Sequence, residues 1–235
     1  MLQRHGRPAQ TQAGFTLIEL LIAIGLMAVL AVMSWRGLDG MMRTQDITQT
    51  RVNQVAVVQT ALAQWRADLD AVQPVAGVSN SGVMWDGRVL RVIRRASHWQ
   101  AQGEDPGLWV VGWTRRTALG STEGTGQWVR WQSRATSDLN ELKKAWAQAE
   151  RWGQNRSEDD APFETAALPL LQWQLTYFRG NAWVHPLSSS EGKANEINSD
   201  MPDAIRLQID LPNSTGLNGR LTLDWVRPDF SNTKS

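Results

Sequence analysis

The 19 residues from Phe15 to Met33 contain one ionisable side chain, Glu19. At about 1.5 Å of rise per residue, a helix of that length reaches roughly 28 Å, close to the hydrocarbon thickness of a bilayer. The run predicts a membrane-spanning helix. A carboxylate held deep in lipid costs about 2.5 kcal/mol or more, so Glu19 reads as a functional group that requires a partner. Ahead of the run lies a polar leader, Met1 to Ala13, with Arg4 and Arg7 and no acid. A secretory signal places its small residues after the apolar core and loses that core on cleavage. Here the small residue, Gly14, precedes the core, so a cut after it leaves the helix on the mature chain. Phe15 then becomes the amino terminus and Glu19 the fifth residue, within the turn where a helix favours negative charge. The α-amino group of a neighbouring copy is a fitting partner for that carboxylate.

The stretch Gly14-Phe15-Thr16-Leu17-Ile18-Glu19-Leu20-Leu21-Ile22-Ala23-Ile24 resembles the prepilin processing motif of the type IV pilin and type II secretion pseudopilin superfamily. The resemblance implies cleavage by a prepilin peptidase between Gly14 and Phe15, N-methylation of Phe15, and Glu19 as the carboxylate that guides assembly.

Composition narrows the rest. The chain has 235 residues, 24 basic against 23 acidic, for a formal charge of +1. Loss of residues 1–14 removes two arginines and no acid, leaving −1. Near-neutrality offers no electrostatic case for nucleic acid as the main partner. There is no cysteine, which excludes a disulfide framework and a thiolate metal site. Thirteen tryptophans against one tyrosine and four phenylalanines supply large apolar area for a core or an interface.

Past Met33 the apolar pattern thins into a stripe: Trp35, Leu38, Met42, Val52, Val55, Val58 or Gln59, Leu62, Trp65, Leu69 and Val72. Spacings of three and four predict one continuous helix from Phe15 to about Val72, ended by Pro74. Its residues 15–33 lie in lipid, 34–74 form an amphipathic continuation, and 75–228 form a β-rich domain with a tail at 229–235. From Val83 the period changes to two. Val83–Asp86 and Arg88–Arg95 are strand candidates joined at Asp86-Gly87. Leu108–Arg115 and Gln127–Arg134 follow, around a loop at Gly120–Gly126. Asp138 caps a helix with Leu139, Leu142, Ala145 or Trp146, Ala149 and Trp152 on its apolar face. Gly153–Pro162 reads as a polar loop. Leu171–Arg179 turns through Gly180-Asn181 into Ala182–Val184, Ser188–Pro202 reads as a mobile polar stretch, and Ala204–Leu211 with Arg220–Val226 closes the chain. The expected fold is α+β, a pilin-like lollipop with its long N-terminal helix packed on antiparallel sheet.

Three segments resemble the J-type minor pseudopilins of type II secretion: Trp35-Arg36-Gly37-Leu38-Asp39, Leu175 to Trp183, and Met201-Pro202-Asp203-Ala204-Ile205-Arg206-Leu207 with Gly219-Arg220. The resemblance implies a single-pass inner-membrane protein with its C-terminal domain in the periplasm. Its implied partners are the I-, K- and H-type minor pseudopilins and the major pseudopilin, in a tip complex that initiates the pseudopilus and supports export across the outer membrane. The stripe Trp35, Leu38, Met42, Val52, Val55, Leu62 and Trp65 is then the surface for partner helices. A minor pilin of a type IV pilus shares the leader, the helix and the sheet. Many such pilins close a C-terminal loop with a disulfide, which this chain cannot form.

Nothing else in the sequence organises chemistry. His5, His98 and His185 share no ligand-like spacing, so no zinc site is expected. Glu158-Asp159-Asp160 lacks the alternation and glycine of a calcium loop and reads as a solvated loop. Ser79 and Ser81 do not form a nucleophile elbow, and Gly120–Gly126 is no phosphate loop. Arg88, Arg91, Arg94, Arg95, Arg115 and Arg116, beside Trp109 and Trp113, read as the wet face of a sheet rather than a nucleic-acid platform. The alternation from Trp128 to Arg134 reads the same way, as sheet exterior first and partner surface second. Neither an enzyme nor a cofactor is expected, because no convergent titratable groups accompany a motif.

Overall fold

A computed structural model describes residues 15–96, 107–117, 124–188 and 201–228. The fold is α+β: a long N-terminal apolar helix followed by antiparallel sheets. Two compact units divide the chain between Thr50 and Arg51, a boundary that falls within helix α1, Leu17–Asp70.

In the first unit, α1 is apolar on every side from Leu17 to Met33, and each large apolar side chain there is more than half exposed. A helix hydrophobic all round belongs in lipid or in a large protein interior. It is long and apolar enough to cross a membrane.

The second unit builds on the last five turns of α1. Val58, Ala61, Trp65 and Leu69 recur at helical spacing and are buried. Around them stand two sheets. The first holds β1 (Val83–Trp85), β2 (Val89–Arg95), β3 (Leu108–Thr117), β4 (Gly126–Gln132) and β5 (Glu164–Leu170), in that order and all antiparallel. The second holds β6 (Gln172–Arg179), β7 (Ala182–Val184), β8 (Ala204–Leu211) and β9 (Gly219–Val226), in the order β7-β6-β8-β9. Helix α2, Leu139–Gln154, follows β4 and packs back over β2 and β3 of the first sheet.

Local chemistry explains the joints. Asp138 accepts hydrogen bonds from the N–H groups of Asn140 (2.6 Å) and Glu141 (3.1 Å), the cap expected for α2. Gly180 and Asn181 both take positive φ, 57° and 70°, as the tight turn between β6 and β7 requires. A Cβ at Gly112 would lie 2.9 Å from the Trp152 ring, so α2 approaches β3 only because that residue is glycine.

The first sheet is buried on both faces. Leu90, Val92, Val111, Trp113, Trp128 and Leu168 face a core shared with α1 and with Leu175, Ile205, Leu207 and Trp225 of the second sheet. Val89, Ile93, Val110, Val129 and Trp131 face a second core closed by Leu142, Trp146, Ala149 and Trp152 of α2. The alternation from Trp128 to Arg134 therefore separates two interiors. This corrects the reading of that stretch as sheet exterior, because α2 folds over the face that period two assigned to water.

Two further corrections concern the middle of the chain. The expected loop at Gly153–Pro162 holds the end of α2 and a 3₁₀ helix, Glu158–Phe163. Strand β5 was not expected at all, since its Ala166-Ala167 pair and Pro169 lack strand character. It is tolerated because β5 is the edge of its sheet, where a missing N–H need not break a ladder. Of the sequence expectations, Gly14, His5, His98, most of Gly120–Gly126, most of Ser188–Pro202 and the tail fall outside the described residues.

Candidate functional site

The first turn of α1 carries the residues expected to matter most. Glu19 Oε2 accepts from the Thr16 N–H at 3.0 Å and from Thr16 Oγ1 at 2.9 Å. Thr16 Oγ1 in turn accepts from the Glu19 N–H at 3.4 Å. This is a reciprocal capping box, which satisfies two of the free N–H groups of a helix start. Among the described residues, every hydrogen bond to this carboxylate falls on Oε2, so Oε1 is open. Phe15 beside it is 90% exposed. Thr16 was not singled out from the sequence, although Thr-x-x-Glu ahead of an apolar run is a legible signal.

The expected partner stripe divides in two. Trp35 (76% exposed), Leu38, Met42 and Val52 stand open. Near the first three, a Cβ built at Gly37 or Gly40 would meet nothing within 4 Å, so another helix can approach that side closely. Val55 and Leu62 are half-buried, and Leu62 packs against the core of its own unit. Trp65 is wholly buried there. It cannot also present itself to a partner helix, so the stripe is corrected at Trp65: the domain's own sheets occupy its surroundings.

The last turn of α1 shows why. Asp68 is fully buried, and its carboxylate accepts five hydrogen bonds. Arg94 Nη1 donates at 2.6 Å, Arg130 Nε and Nη2 at 2.8 and 2.9 Å, Trp113 Nε1 at 2.8 Å, and Gln64 Nε2 at 3.0 Å. Two residues on, Asp70 accepts from Trp225 Nε1 of the second sheet at 2.8 Å. Carboxylates at a helix C-terminus oppose its dipole. Their presence follows from the donors that meet them, one set from each sheet. Asp68 was missed from sequence; its signal is an acid three residues after Trp65, on the buried side of the stripe.

Half of the arginines read as a wet face are held by helix side chains. Arg91 pairs with Glu150 at 2.8 Å and lies over the Trp146 ring at 4.8 Å. Arg116 lies over the Trp152 ring at 4.6 Å. With Arg94 on Asp68 of α1, three of the six are engaged by side chains of the two helices, which pack on opposite faces of the sheet. Nor is the acidic triplet simply solvated: Asp160 is buried and accepts from Ser157 N–H and Gln148 Nε2.

Residues 10–35 match the family model of the prokaryotic N-terminal methylation motif. The chain carries a prepilin-type N-terminal methylation motif. Over 76 residues it is also 28% identical to type II secretion system protein J of Klebsiella pneumoniae. That stretch is 32% of this chain, and it spans only 38% of the relative's length. Motif and relative together support a J-like pseudopilin. The prepilin motif gives the capping box its context: Thr16 and Glu19 both lie inside the matched segment.

Proposed function

We propose that this chain is a minor pseudopilin of a type II secretion system, anchored in the inner membrane by α1 with its domain in the periplasm. Prepilin peptidase cuts between Gly14 and Phe15, and Phe15 is then N-methylated. Glu19, whose Oε1 is open, receives the amino group of a neighbouring subunit. The exposed stretch with Trp35, Leu38, Met42 and Val52 packs on the helices of I-, K- and H-type partners, in a tip complex that starts the filament of the major pseudopilin and supports export across the outer membrane.

The observation that carries this reading is the matched motif at the head of a helix apolar on all sides, with one carboxylate in its first turn. A helix with that surface needs lipid or other helices around it. Intact mass and N-terminal sequencing of the membrane-extracted protein test the processing step: loss of residues 1–14 and one methyl group on Phe15 are expected. Co-purification with I- and K-type partners tests the tip assignment. If the chain instead co-purifies only with the subunits of a type IV pilus, it is a minor pilin of that system.

A further inference from the structure

Within the second unit lies an open cleft of about 980 Å³. One wall is formed by the first sheet, the turn between β1 and β2 and the end of α2; the other by the face of the second sheet turned away from its core. Its charge is lopsided. Arg88, Arg115, Arg116, Arg156 and Arg220 line it, against the carboxylates of Glu164 and Asp210: five against two, an excess of three positive charges.

Those two acids are already engaged. Asp210 takes both bonds from Arg220, at 2.8 and 3.0 Å. Glu164 is shared between Arg116 (3.3 Å) and Arg156 (3.5 Å) and accepts from Trp152 Nε1 as well. Arg115 meets backbone carbonyls and a hydroxyl, none of them charged. Among the described residues the Arg88 guanidinium enters no ion pair, and Arg116 Nε is buried without a hydrogen-bond partner. Burial lowers the basicity of Arg116, Glu164 counters it, and Arg156 adds repulsion. Charge of one sign focused in a cleft attracts the opposite sign.

The shape of the site points to a polymer. The arginines stand on four different stretches, from the β1–β2 turn to β9, so a compact anion would reach only part of the set. Gln172 and Gln174 lie two residues apart on β6, paired in register with Asp210 and Gln208 on β8. That puts amides about 7 Å apart along the strand, the repeat of alternate residues in an extended chain. A glutamine offers both a donor and an acceptor, as peptide N–H and C=O groups require.

We propose that this cleft binds an extended acidic polypeptide segment of another protein, its carboxylates on the arginines and its backbone along the glutamines. The proposal is independent of processing at Gly14. Fluorescence anisotropy of a labelled oligo-glutamate peptide, with the detergent-purified full chain, tests it. Saturable binding that weakens with added salt is expected. It should fall about tenfold or more in Arg88→Gln/Arg156→Gln, which removes two charge-assisted contacts, at unchanged melting temperature. Arg66→Gln, on an exposed part of α1, should bind as the parent does. No saturable binding, equal binding of oligo-lysine, or indifference to the double variant would overturn the proposal. Tighter binding of polygalacturonate or oligodeoxythymidine at the same arginines would overturn the polypeptide assignment, and so would displacement by inorganic phosphate alone.

Discussion

Two carboxylates on one helix have opposite situations. Glu19, in the first turn of α1, has Thr16 as its one partner among the described residues and an open oxygen. Asp68, in the last turn, is fully buried beneath five donors from the helix and the first sheet. The first is free to bond outward. The second has no remaining capacity and holds the domain onto its helix. A buried acid surrounded by its own chain's donors is an anchor; an exposed acid in an apolar helix is an invitation to another chain.

Asp68→Ala is the strongest way to break that contrast. It leaves the guanidinium groups of Arg94 and Arg130, both mostly buried, without their counter-charge, a loss of about 3–5 kcal/mol. For a domain of this size that lowers the melting temperature by about 10 °C, read from tryptophan fluorescence on heating. A change under about 1 kcal/mol would remove Asp68 as the anchor. Trp113→Phe keeps the ring in its core but deletes one N–H donor to the carboxylate; about 1.5–3 kcal/mol should go, since the acceptor is charged, measured by denaturant midpoint.

The second sheet sharpens the scale from below. Arg206 and Asp224 form a bidentate pair at 2.7 Å on its solvent face, yet both are about a third exposed or more. Arg206→Gln should therefore cost no more than about 1 kcal/mol. The hydrogen bonds from Arg206 hold the Asp224 carboxyl below its ordinary 3.8. A lowered folded value means that this contribution is present above about pH 4 and is lost as pH falls through the folded value. The difference between parent and variant melting temperatures should thus narrow below pH 4 and stay constant above it.

Glu19→Ala should move domain stability least, by no more than about 0.5 kcal/mol, because Glu19 bonds only within its own turn. Co-purification with partner subunits should nevertheless be lost. Were the domain to melt markedly earlier, or assembly to proceed unchanged, the division between anchor and outward-facing acid would fail.

Much of the fold was legible. The apolar run, the Asp138 cap, the Gly180-Asn181 turn and the closing hairpin of β8 and β9 each rest on neighbouring residues, so local chemistry names them. Strand β5 was not, because Pro169 and the adjacent alanines carry no strand preference and only pairing with β4 makes them one. Period two in β2, β3 and β4 revealed that the two faces differ; it carried no information about what covers each face. Hence Arg91 and Arg94, read as solvated, are mostly buried and paired with Glu150 and Asp68, and Trp65 belongs to the domain rather than to a partner.

The sequence by itself determined the head of this protein. A 19-residue apolar run with one acid and a glycine before it constrains length, medium and charge within a short stretch, where each residue's meaning depends on its neighbours. Only the tertiary structure decided the other end of the helix. Asp68 gathers donors from residues 26 to 62 positions away, and no local pattern encodes which distant arginine and tryptophan will converge on one buried carboxylate.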